Sequence, residues 1–143
     1  MKKELQTAMK EAMKAKDKGR LDTIRSLLAA IQYEEMEKKV EDLPSDAALA
    51  ILQRELKKRR EEVEFADKAS RADLKEKLSV EIATIESFLP QQMSATDLEK
   101  IITQLKSENA GLNMGSAMKL LKEKYPGQYD GKAASEIAKK IFV

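Results

Sequence analysis

Apolar residues recur at intervals of three and four from one end of this chain to the other, and no stretch alternates apolar with polar at every second position. That spacing is the period of an α-helix, and it leaves each helix with a stripe that must be buried against other helices. The stripes are explicit. Leu5, Ala8, Met9 and Ala12 mark one over 1–16, and Leu21, Ile24, Leu28 and Ile31 a second over 20–39. Leu49, Leu52, Leu56 and Val63 mark a third over 46–68, and Leu74, Leu78, Ile82, Ile85 and Leu89 a fourth that runs up to Pro90. Three shorter ones follow: Leu98, Ile101, Ile102 and Leu105; then Met114, Ala117, Met118, Leu121 and Tyr125; then Ala134, Ile137, Ala138 and Ile141. The fold class expected is all-α, an N-terminal bundle of about four helices followed by a small three-helix C-terminal domain.

The punctuation between stripes supports this count. Asp17-Lys18-Gly19 is expected to break the first two helices apart, and Leu43-Pro44-Ser45 to lead into the third with Ser45 as its N-cap. Ser70-Arg71-Ala72-Asp73 has the spacing of a capping box with Asp in place of Glu, as does Ser94-Ala95-Thr96-Asp97. Pro90 is expected to end the fourth helix, because the residue before a proline is driven out of the α region. Gly111 closes the fifth near Asn109, and Asn113 and Asp130 stand where N-caps belong. The segment from Phe88 to Ser94 is the expected boundary, giving domains 1–90 and 91–143.

Several chemistries are excluded outright. The chain has neither Cys nor His, which removes disulfides, Cys nucleophiles, Cys/His zinc sites and imidazole acid–base catalysis. No glycine-rich phosphate loop and no G-x-S-x-G elbow occur, and the carboxylates alternate with lysines on helical faces. No catalytic residue, cofactor or metal is therefore expected, and a binding role fits better than an enzyme. No apolar run approaches the length of a membrane span and Met1 to Lys18 is lysine-rich, so a cytoplasmic location without membrane attachment is the expectation.

Net charge is +2, but it is unevenly spread. Residues 1–90 hold 19 Lys+Arg against 19 Asp+Glu, whereas 113–143 hold 6 against 3. Lys57-Lys58-Arg59-Arg60 suggests a nucleic-acid patch at first sight. Glu61, Glu62 and Glu64, four residues after Lys57, Lys58 and Arg60, make a solvated and self-neutralised helix face the better reading.

Three segments in order resemble one family. The first is Glu55-Leu56-Lys57-Lys58-Arg59-Arg60-Glu61-Glu62 with Phe65, Ala69, Arg71, Asp73, Leu74 and Lys77; the second is Phe88-Leu89-Pro90-Gln91-Gln92-Met93-Ser94. The third is Met114-Gly115-x-x-Met118 with Gly127, Asp130-Gly131-Lys132 and the helix holding Ile137. Together they resemble the YqeY family of small bacterial proteins over essentially the full length. The last third is similar to the tail domain of the B subunit of the glutamyl/aspartyl-tRNA amidotransferase.

That resemblance implies an all-helical first domain, a three-helix second domain, and tRNA or a tRNA-like RNA as the partner of the second. Lys119, Lys122, Gly131, Lys132, Lys139 and Lys140 are the RNA contacts it suggests, with the amide groups after Asp130 as a phosphate cradle. An aminoacyl-tRNA synthetase or an amidotransferase is the alternative partner, met through the N-terminal helices; DNA is not expected. The family label, a carbon–nitrogen ligase with glutamine as amido-N-donor, describes the larger relative, whose catalytic parts this chain is too short to contain. Tyr129 stands where the family often has Ala, Ala134 where a branched aliphatic is common, and Leu78 where Glu is common. Tyr129 is open to two roles, packing in its own turn or stacking on a base.

Overall fold

The computed structural model describes residues 1–142, which form seven α-helices and, among those residues, no strand. The helices are α1 (Lys2–Ala15), α2 (Lys18–Lys38), α3 (Ser45–Lys68), α4 (Ala72–Glu86), α5 (Ala95–Glu108), α6 (Met114–Lys124) and α7 (Gly131–Ile141). The chain divides into two compact units, Met1–Leu89 and Pro90–Val143.

In the first unit α1 packs on α2, α2 on α3 and α4, and α3 on α4. The core is aliphatic: Leu5, Ile24, Leu27, Ile31, Leu52 and Ile85 are almost entirely removed from solvent. Each such side chain is worth roughly 1.5–3 kcal/mol on burial, so the inner stripes drive assembly of the unit. Polar groups close its ends. Glu35 is only 6% exposed, and its carboxylate accepts from Lys2 Nζ at 3.2 and 3.3 Å and from the Leu43 backbone amide at 3.1 Å. Lys2 also reaches Asp42 at 3.0 Å and the Glu41 carbonyl at 3.2 Å, so one ammonium clasps the start of α1 to the α2–α3 loop.

Several expected boundaries move. Asp17 does not break the chain but caps α2, accepting from the Arg20 amide at 3.2 Å, so Lys18 and Gly19 are already helical. The turn is made instead by Lys16, which takes the left-handed conformation at φ 56°, as Lys39 does after α2 at φ 54°. Ser45 lies inside α3 and Pro44 is the capping residue, with no side-chain bond. Ser70 forms no capping box: it adopts φ 54°, Arg71 becomes the N-cap of α4, and Asp73 is drawn into a pair with Arg71. The α4 helix stops at Glu86, ahead of the stop expected at Pro90, and Ser87 and Phe88 turn the chain out. On α3 Leu52 and Leu56 are buried as expected, Leu49 and Val63 are only half-buried, and Ala48, Ile51 and Ala66 are buried in addition.

The second unit is a three-helix cluster in which each helix touches the other two. Leu98, Ile102, Leu121, Ala134 and Ala138 form its centre, with Ile137, Ile141, Tyr125, Tyr129 and Phe142 packed around them. Ala134 and Ala138 are the two fully buried residues of α7.

Candidate RNA-facing surface

All three helices of the second unit start as their sequences demand. Ser94 accepts from the Asp97 amide at 3.1 Å while Asp97 accepts from the Ser94 amide at 3.3 Å, a complete capping box. Asn113 caps α6 through the Ser116 amide at 2.8 Å, and Asp130 caps α7 through the Ala133 amide at 3.4 Å. The last bond bears on function. The Ala133 amide, one of those expected to cradle a phosphate after Asp130, already donates to that residue's own carboxylate.

Between α6 and α7 the chain turns through Tyr125 to Asp130, with Gly127 at φ 73°, a conformation that favours glycine. This turn is held by residues before α5. The Gln92 side-chain amide donates to the Gly127 carbonyl at 2.7 Å and to the Pro90 carbonyl at 2.9 Å, and the Met93 backbone amide donates to the Gln128 carbonyl at 2.7 Å. Two of the segments that carry the family resemblance therefore meet in space. Their residues build the unit's frame. Sequence inspection did not identify Gln92 as a strap, because its partner lies 35 positions away and no local pattern reports it.

The suggested RNA contacts fall on this frame's outer side. Lys119 and Lys122 on α6, and Gly131, Lys132, Lys139 and Lys140 on α7, are all exposed. Lys132 and Lys139 are seven residues apart, hence about 10 Å along the axis and within about 20° around it. They lie opposite the buried Ala134 and Ala138, with Glu136 between them on the same face. Lys119 and Lys122 are one turn apart on α6. A Cβ added at Gly131 would meet nothing within 4 Å, so open space lies over the start of α7. Among the described residues, none of these five lysines holds an ion pair. Lys106, not suggested from sequence, is committed elsewhere: its Nζ donates to the Ile141 carbonyl at 2.7 Å and lies 5.5 Å from the Phe142 ring centre.

Six of the 19 cations of the first unit are used differently. Lys2, Lys38, Arg59, Arg60, Arg71 and Lys75 each pair with a carboxylate of the same unit. Arg59 corrects the expectation of a wholly solvated face over 57–60. It is only 8% exposed, with Nη1 bonded to Glu55 at 2.8 Å and Nε 3.7 Å from Glu81 of α4. Arg60 pairs with Glu86, also on α4, at 3.0 Å. Half of the basic run is thus fastening between α3 and α4.

Among the described residues there is no group of carboxylates placed to hold a metal ion, and no helix is long and apolar enough to cross a membrane.

A family model described as Yqey-like protein matches residues 2–142. The chain is 32% identical over 121 residues to a protein of Lachancea thermotolerans named "Altered inheritance of mitochondria protein 41, mitochondrial". That match takes in 80% of this chain and 65% of the relative, so this chain spans just under two-thirds of the relative's length. It is also 33% identical over 84 residues to "Uncharacterized protein C22F3.15" of Schizosaccharomyces pombe, across 59% of this chain and 68% of that protein. Both relatives are fungal, and the first bears a mitochondrial name.

Proposed function

The chain belongs to the Yqey-like protein family, and from that premise we propose that it is an accessory RNA-binding protein without a catalytic centre of its own. Its second unit engages tRNA or a tRNA-like RNA through Lys119, Lys122, Lys132, Lys139 and Lys140. One observation carries this reading. Residues 1–90 balance 19 Lys+Arg with 19 Asp+Glu and hold six of those cations in ion pairs, whereas 113–143 hold 6 against 3, and five of those lysines stand exposed with no ion pair among the described residues. An ammonium already bonded to a carboxylate must break that bond to bind phosphate, and a free one need not. Residues 90–143 carry 8 Lys+Arg against 6 Asp+Glu, so the attraction is local to α6 and α7 and is not a field of the whole unit.

The test is a titration of the intact chain with bulk tRNA at two salt concentrations. Replacing Lys132, Lys139 and Lys140 together by Ala should weaken binding and lower the slope of log affinity against log salt by roughly 2–3. Replacing Lys57, Lys58 and Arg60 is the matched control and should leave the slope unchanged. If the control abolishes binding and the C-terminal set does not, the site belongs to α3.

A second reading rests on a different surface. Tyr33 and Met36, at i and i+3 near the end of α2, point outward at 64% and 77% exposed, and Val40, just past the helix, is exposed as well. That face supports docking on another protein, such as a synthetase or amidotransferase. Absence of any RNA binding at low salt would leave it as the working role.

A further inference from the structure

Proteins that hold single-stranded nucleic acid stack its bases on accessible aromatic rings, at about 1–3 kcal/mol per base. The aromatic residues of the second unit are Tyr125, Tyr129 and Phe142, and all three pack against that unit's own core. The Phe142 ring is further occupied by the Lys106 ammonium. Tyr129, the one candidate for stacking, is partly buried in the cluster, and that burial pushes its phenol pKa up. The large apolar side chains that do stand exposed among the described residues, Tyr33 and Phe65 included, lie in the first unit. The second unit therefore turns ammonium groups outward and packs its rings, each partly buried, against its own core.

Its lysines are also held on rigid supports. Lys132 and Lys139 share one face of α7, two turns apart, and Lys119 and Lys122 share one side of α6. Such fixed spacing suits a backbone whose phosphates are themselves regularly placed. Each phosphate neutralised on a double helix also releases more counterion than one on a single strand.

From the RNA-binding reading, on which this step rests, we propose that the second unit takes helical, A-form RNA by its sugar–phosphate backbone, with no base stacked on the protein. Recognition is then of shape and charge, and is indifferent to base order within the stem. Tyr129 keeps the turn between α6 and α7 packed.

The test uses the full chain and two RNAs of equal phosphate count, a hairpin that is mostly stem and an unstructured oligouridylate, each titrated at two salt concentrations. The hairpin should bind more tightly than the oligouridylate and with the steeper salt dependence, about 0.9 against about 0.7 in log–log slope for each phosphate neutralised. Scrambling the stem with pairing kept should leave Kd within about twofold, and tyrosine emission should not change on binding. Equal or tighter binding of oligouridylate overturns the inference, as does quenching of tyrosine emission that is lost in Tyr129→Leu. In both cases RNA binding itself still stands. Failure of both RNAs to bind at low salt overturns the RNA reading and this inference with it.

Discussion

Replacing Gln92 by Ala in the intact chain isolates the strap that ties the segment before α5 to the turn before α7. The substitution removes the donor to the Gly127 carbonyl at 2.7 Å and to the Pro90 carbonyl at 2.9 Å, while the Met93–Gln128 backbone bond remains. A net intramolecular hydrogen bond is worth about 0.5–1.5 kcal/mol, and a part-buried carbonyl left without a partner adds to the cost. The expected loss is therefore about 1–2 kcal/mol, confined to the second unit. In a unit of this size each kcal/mol lowers Tm by roughly 4–8 °C. Circular dichroism melts should then show a fall of about 4–16 °C in the transition of the second unit. Gln91→Ala is the matched control: the neighbouring side chain is exposed, and its removal should leave Tm within a degree or so. Gln92 is no strap if Gln92→Ala melts with the parent, or if Gln91→Ala falls by as much. For the same reason, a fragment meant to carry the second unit has to start no later than Pro90, since one cut at Ser94 lacks the strap altogether.

Two further perturbations follow from the first unit. Lys39→Gly should raise stability by up to about 1 kcal/mol in chemical denaturation, because Lys39 holds φ 54°, where only glycine is free of steric cost; a loss would mean that the side chain contributes more than its backbone strain costs. The Lys2 clasp should respond to alkali: hydrogen bonds to Asp42 and Glu35 raise its pKa above 10.5, so its stabilisation is fully present below that pH and is lost as pH rises through the raised value. Lys2→Met should remove this alkaline dependence, as read from denaturation midpoints between pH 9 and 12, and a parallel pair of profiles would show that the clasp contributes nothing.

The helices and their facing stripes were legible because helical periodicity is a property of nearby residues. The caps at Ser94, Asn113 and Asp130 were legible for the same reason, each being a bond to an amide three positions on. Local pattern misled where two local bonds competed. Ser70 and Asp73 have capping-box spacing, but Arg71 stands between them and takes the aspartate, holding its pKa below the usual carboxylate range. Long-range partners were not legible at all. Arg59 reads as one cation in a basic run, and only the approach of α4 with Glu81 and Glu86 shows that part of the run is fastening. Gln92 is likewise silent until the turn at Gly127 comes round to it. The candidate lysines were named correctly as surface residues, but their difference from the basic run lies in which carboxylates fold against each, and that is decided by packing.

The unequal pairing of cations means that dissolved salt should pull on the two units in opposite directions. Met1–Leu89 has balanced charge, 19 against 19, with six of its cations in ion pairs, so ions that shorten the Debye length weaken attractions that hold it together. Pro90–Val143 carries a surplus of 2, 8 minus 6, with its lysines exposed, so the same ions relieve repulsion there. Raising ionic strength should soften the first unit slightly while firming the second. A single chain would then have no one optimum of salt, and its least stable half would depend on the medium in which it is placed.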